Sequence, residues 1–300
     1  MRRTIAAATV MVGSLLAGAA LAQTDYSAVV MKTTELGHRT YMIEGMGGNI
    51  TAAVGDDGVI MVDGQFAPLH DKIKAAVAAV SDKPIRYLVN THFHGDHTGG
   101  NAPFAKDGVV IVAHEGVAKR LTSGTTNGLT GAKTPPAAAE ALPTRTYGQD
   151  LTLTVQGRQA LLRHVPNAHT DGDTYVYFAD ANVLSTGDIV TLGTRYPNID
   201  FAQGGSIDGL IAGSDLYLGL VNDQTKIVPG HGPLIDKTRL SAYRTMLATA
   251  RDRVAALKTA GKSIDEAVAA KPLADIGAGI GANEQQNGDF VRLVYTTLKP

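Results

Sequence analysis

Thr91-His92-Phe93-His94-Gly95-Asp96-His97 packs four side chains that can ligate a metal, His92, His94, Asp96 and His97, into six positions. No single helical face presents three imidazoles and a carboxylate at that spacing. A tight loop can fan them around an ion, and the apolar run 85–89 just upstream predicts a strand from which such a loop departs. The nitrogen-rich set suits zinc, with oxygen supplied by Asp96 and water.

Further ligand types stand at comparable junctions downstream. His169 follows Val165-Pro166-Asn167-Ala168 and precedes a turn-like Thr170-Asp171-Gly172-Asp173. Asp188 closes the apolar run 183–188 on Gly-Asp, and His231 ends a strand-like Ile227-Val228 before Gly232 and Pro233. One such residue alone is more often a hydrogen-bonded turn residue than a ligand. Four strand-to-loop junctions ending in His or Asp favour a shared metal site.

In order and spacing, His-x-His-x-Asp-His, then His, Gly-Asp and Gly-His-Gly, the chain resembles the metallo-β-lactamase-fold hydrolases over nearly all of its length after the first residues. The resemblance implies that His92, His94 and His169 hold a first zinc, that Asp96, His97 and His231 hold a second, and that Asp188 bridges the two. It also aligns Asp63 with an early aspartate of the family that can orient a ligand imidazole; the alternative for Asp63 is the first residue of an Asp-Gly turn. The antibiotic-hydrolysing members place Cys or Ser at the bridging position, where this chain has Asp188.

Two zinc ions against two carboxylates and a bridging hydroxide would leave a small positive charge in the cleft, which favours an oxyanion forming on an attacked carbonyl. Metal binding brings the pKa of water toward ~7, so hydroxide is available at neutral pH. The histidine ligands stay neutral, and Asp96 is the expected catalytic residue, orienting the nucleophile and passing on its proton. A carboxylate bridge is harder than thiolate, so manganese or iron can replace zinc.

The first residues read as an export signal, 1–22, with Arg2 and Arg3, an apolar core over 5–16 and a small-residue site at Ala20-Leu21-Ala22. No stretch reaches the ~20 apolar residues that span a bilayer, so periplasmic or secreted placement without membrane insertion is expected. The 300-residue chain has no cysteine, which removes disulfides and thiolate ligands. Residues 23–300 are expected to form one domain, and the 44% hydrophobic content suits a single buried core. With 27 basic and 28 acidic residues and no basic stripe, the chain lacks the footprint of a nucleic-acid binder, and a small-molecule substrate is expected.

The pattern that must position these residues alternates strands and helices. Strands are expected at 28–31, 41–43, 50–54, 59–62, 85–89, 109–112, 151–155 and 160–164, and helices at 68–80, 115–121 and 236–258, with a shorter one after Ser263. Residues 123–146, rich in Gly, Thr, Pro and Ala, read as an irregular excursion near the site. The layout resembles an α/β fold of the αβ/βα sandwich type.

The leading expectation is an exported dinuclear zinc hydrolase that cleaves an amide, lactam, ester or lactone of a small substrate with a metal-bound hydroxide. A β-lactamase is the runner-up. A periplasmic protein that binds metal or a small ligand without turnover is the alternative from another class, disfavoured because a structural zinc needs only four protein ligands.

Overall fold

The computed structural model describes residues 24–298; the expected export signal lies outside the described residues. Strands β1 (Lys32–Gly37), β2 (Thr40–Glu44), β3 (Ile50–Val54) and β4 (Val59–Val62) form an antiparallel meander. β1 corrects the expectation of a strand at 28–31: those residues stay outside the ladder, and Val30 is exposed. The edge strand that does pair buries only Leu36, so apolarity does not mark it. β3 and β4 are buried at every position, as strands covered on both faces must be.

After α1 (His70–Ala78), β5 (Ile85–Asn90) lies parallel to β4; after α2 (Gly95–Thr98) and α3 (Asn101–Lys106), β6 (Val110–His114) lies parallel to β5. Then come α4 (Glu115–Ser123), a small hairpin of β7 (Thr125–Thr126) and β8 (Lys133–Thr134), and β9 (Arg145–Tyr147). β9 completes a seven-stranded sheet in the order β1-β2-β3-β4-β5-β6-β9.

β10 (Asp150–Val155), β11 (Arg158–His164), β12 (Thr174–Phe178) and β13 (Val183–Ser185) are antiparallel neighbours. α5 (Ile207–Leu220) carries the chain back so that β14 (Lys226–Val228) runs parallel to β13, closing a five-stranded sheet. α6 (Lys237–Thr259), α7 (Ile264–Ala269), α8 (Ala274–Ile280) and α9 (Glu284–Thr297) follow. Asp236 caps α6, and Ser263 and Glu266 form a capping box at α7, which is why the expected helices start where they do.

Alternation along the strands sorts the core into layers. Val62, Val89 and Val112 of one sheet meet Leu162, Val176 and Val183 of the other. The outer face of the first sheet packs on α1 and α3 through Ile73, Val77 and Phe104. That of the second packs on α5, α6 and α9 through Leu210, Leu247 and Phe290. The result is helix, sheet, sheet, helix: the expected sandwich.

Arg158 on β11 ties the two sheets together at one edge. It is 4% exposed, its Nη1 reaches Asp180 at 2.5 Å, and it donates to the carbonyls of His38 and Val54. Replacing it takes this donor from the buried Val54 carbonyl and unties the two sheets here. Arg158→Met is expected to cost about 3 kcal/mol in urea unfolding while metal content is unchanged; a loss below about 0.5 kcal/mol would mean that this edge does not depend on the guanidinium.

Candidate metal centre

All seven expected ligands converge where β5, β13 and β14 end and β12 begins. His92, His94 and His169 form one cluster, Asp96, His97 and His231 another, and His92, His97 and Asp188 a third; in each, the ligand atoms lie within 4.8 Å of one another. His94 Nδ1 stands 2.9 Å from His169 Nε2, and His97 Nε2 stands 3.3 Å from His231 Nε2. Asp188 lies between the clusters, with Oδ1 3.2 Å from His97 Nε2 and Oδ2 3.4 Å from His231 Nε2 and 3.9 Å from His169 Nε2. Asp96 Oδ2 is 3.1 Å from His231 Nε2.

The second nitrogen of four imidazoles is engaged from behind. His97 Nδ1 donates to Asp63 at 2.8 Å, His94 Nε2 to Asp200 at 3.1 Å, and His169 Nδ1 to the Asn198 carbonyl at 2.9 Å. Thr91 gives its hydroxyl hydrogen to Asp63, so it accepts from His92 Nδ1 at 3.1 Å. These partners fix the ring orientations and leave the other nitrogen of each ring facing inward. Of the two readings left open for Asp63, the structure displays the imidazole partner. It takes three hydrogen bonds, from Thr91 N, Thr91 Oγ1 and His97, on a backbone at φ +63°.

Asp200 and Asn198 were not among the expected residues. They lie in an irregular segment, and only the fold brings them to the ligands. Asp173, part of the expected turn, accepts from the amides of His169 and Thr170 and so fixes the loop that carries His169. Two glycines allow the close packing. A Cβ at Gly48 would stand 2.2 Å from His97 Cε1, and one at Gly230 would stand 1.9 Å from Asp188 Oδ1.

The donor set fits divalent cations. His92 Nε2 and Asp188 Oδ1 are buried without a hydrogen-bond partner among the described residues, an expense that a cation would remove. Burial and the neighbouring His97 hold His92 well below the ordinary imidazole range, and burial with His94 takes His169 down to about 4. In the other cluster the carboxylates prevail over burial. Asp188 and Asp63 hold His97 above its usual range, and Asp188 and Asp96 take His231 up to about 9. Asp96 lies at about 2 and Asp188 well below the carboxylate range, both against burial, through His97 and His231. His92 and His169 therefore offer neutral nitrogens, and the second cluster offers anions that attract a cation.

The clusters form the floor of a cleft of about 410 Å³. Arg195, Tyr196 and Asn198 border it on one side and Gln286, Phe290 and Leu293 of α9 on another, and Leu129 reaches it from the β7–β8 hairpin. The hairpin refines the irregular excursion expected over 123–146. His114 and His164, stacked 3.7 Å apart, lie outside the ligand clusters.

The family model described as metallo-β-lactamase superfamily matches residues 43–244. Among curated proteins the chain is similar to the 2,4-dinitroanisole O-demethylase subunit alpha of Nocardioides sp. (strain JS1661), 31% identical over 219 residues, 71% of this chain and 61% of that protein. It is also similar to a linear primary-alkylsulfatase of Pseudomonas sp. (strain ATCC 19151), 30% identical across 49% of this chain and 34% of the relative. The chain thus matches less than two thirds of the length of either. Among solved structures, a stereoselective inverting sec-alkylsulfatase from Pseudomonas sp. aligns over 89% of this chain and 50% of its own, with TM-score 0.63 and 18% identity. A metallo-β-lactamase from Pontibacter korlensis aligns over 73% of this chain and 99% of its own, with TM-score 0.59 and 17% identity. These structural likenesses speak for the fold.

Asp200 provides a test of the centre from outside its ligand set. Asp200→Ala frees the His94 ring, and zinc affinity is expected to fall roughly ten- to a hundredfold with circular dichroism unchanged. Chelator competition measures it. Unaltered affinity would leave Asp200 as an ordinary surface-loop acid.

Proposed function

We propose, for a chain that belongs to the metallo-β-lactamase superfamily, a hydrolase that works on a small substrate with two divalent cations, zinc in the first place. One observation carries this reading: seven ligand side chains converge, and five of them, His94, Asp96, His169, Asp188 and His231, line a cleft instead of closing around an ion. A purely structural zinc would need four ligands and no open side. His92, His94 and His169 would hold one cation, Asp96, His97 and His231 the other, and Asp188 would serve both; manganese or iron also suits this donor set. The cations would supply an acidified water and a Lewis acid for the scissile bond.

The chain's own residues do the rest. Asp96, ionised and partly open to the cleft, orients the attacking water and can take its proton at Oδ2. Asp63, Asp200 and the Asn198 carbonyl keep the imidazoles from turning. Among the bonds considered, amide, lactam, ester and lactone, the lactam of an antibiotic has the least support. Ile189 and Val190 after Asp188 are fully buried, so no cation stands there to grip a β-lactam carboxylate, and Arg195 is the cation on the cleft wall. The names of the two curated relatives, an alkylsulfatase and an O-demethylase, extend the panel to sulfate esters and aryl methyl ethers.

Chelation is expected to abolish hydrolysis of a p-nitrophenyl ester, and two equivalents of zinc to restore it. Asp188→Ala should lower turnover by about two orders of magnitude. Protein holding two metals yet inert across esters, lactones, amides, β-lactams, sulfate esters and aryl ethers would sink the enzyme reading in favour of a binding protein.

Export belongs to the same proposal: the positive start, apolar core and Ala20-Leu21-Ala22 site support removal of 1–22, leaving residues 23–300 as one domain outside the cytoplasm. None of the described helices is long and apolar enough to cross a membrane. Mass spectrometry of the periplasmic fraction should find Gln23 at the N-terminus; a cytoplasmic protein retaining Met1 would defeat export.

A further inference from the structure

We infer that the β7–β8 hairpin is a specificity device: it holds Leu129 out as one wall of an apolar subsite, so the preferred substrates carry a bulky alkyl or aryl group beside the scissile bond. The inference rests on the hydrolase reading for the word substrate, but its binding claim stands apart from turnover.

Leu129 is 41% exposed and lines the same cleft as the metal ligands. The tip is built to present it. Asn127 Oδ1 accepts from Leu129 N at 3.0 Å and from Thr130 N at 2.9 Å, and the Asn127 amide donates to the Ala132 carbonyl at 2.8 Å. Gly128 lies flat on the Phe201 ring, where a Cβ would stand 2.4 Å from Cζ, and Gln203 Nε2 donates to the Thr126 carbonyl at 3.0 Å. The side chain is therefore not loose surface; its backbone is pinned on both sides.

α9 contributes Phe290 and Leu293 to the same cleft, and Tyr196 stacks on Phe290 with ring centroids 4.3 Å apart. The Tyr196 hydroxyl donates to Asn287 at 2.8 Å, away from the metals, so the ring offers the cleft its apolar body. His94, Asp96, His169, Asp188 and His231 line that cleft too. A ligand whose polar head meets the metal ligands and whose remaining part lies on Leu129 gains, for an apolar group there, the free energy of leaving water at about 25 cal/mol per Å². A short polar ligand gains nothing from the wall.

Zinc-loaded protein titrated calorimetrically with acetate and with decanoate, which share one head group, separates wall from floor. Decanoate is expected to bind about a hundredfold more tightly than acetate. Leu129→Asn, at an exposed tip where the fold does not depend on it, should weaken decanoate about tenfold and leave acetate unchanged. Decanoate no tighter than acetate, or unaffected by Leu129→Asn, overturns the subsite. A positive result in protein that hydrolyses nothing would remove the enzyme reading and keep the subsite; ester hydrolysis indifferent to chain length and to Leu129→Asn would do the reverse.

Discussion

A buried carboxylate set among imidazole lone pairs is the constraint around which this molecule is organised. Asp188 is desolvated, and it is tolerable only because His97 and His231 face it at 3.2 and 3.4 Å. In the protein alone those rings must hold protons to answer the charge. A cation answers it better, since it satisfies both the carboxylate and the bare nitrogens of His92 and His169, whose rings burial keeps neutral. The structure thus stores an electrostatic demand that divalent ions meet.

Such a demand can be kept only in a rigid frame. Parallel neighbours β4 and β5 in one sheet and β13 and β14 in the other end at the same edge of the sandwich, and that edge is where loops from different strands can meet. The reciprocal amide bonds of Asn90 and Asn101, both 2.9 Å, anchor the first ligand loop as it leaves β5. Beneath the edge the apolar core between the sheets holds strand ends in register, so the ligand loops leave from fixed points.

What could be read from the sequence follows from this division. The ligands were legible because each stands next to a strand whose apolar run is visible, as with Asp188 after 183–186 and His231 after Ile227-Val228. Asp63 was half legible: its place after β4 marked it, while its choice between turn and imidazole partner is a tertiary fact. Asp200 and Asn198 follow no strand, and nothing local ties them to His94 and His169. β1 escaped because an edge strand with one buried residue carries little period-two signal. The three prolines of 123–146 promised irregularity, and the hairpin escaped because its strands are two residues long and its loop, 127–132, is not the two-residue Asn-Gly turn: neither Asn127 nor Gly128 has a positive φ. α9 was missed because its first turns are polar, and its buried residues begin only at Phe290.

The supports of the metal centre and of the cleft wall are one piece of chain. Across residues 198–203, Asn198 and Asp200 hold the rings of His169 and His94, Phe201 carries Gly128 of the hairpin, and Gln203 fastens Thr126. The Asp200 amide also donates to the His169 carbonyl at 3.0 Å, and Asp171 N donates to the Gln203 carbonyl at 2.8 Å. A wall built on the segment that orients two ligand imidazoles keeps a fixed distance from the metal floor, because neither can shift without the other. The tip residue itself bears no such load: Leu129 can change while Gly128 and Asn127 keep the loop in place. That separation lets side-chain identity at the wall change what the cleft accepts while the chemistry below is left alone.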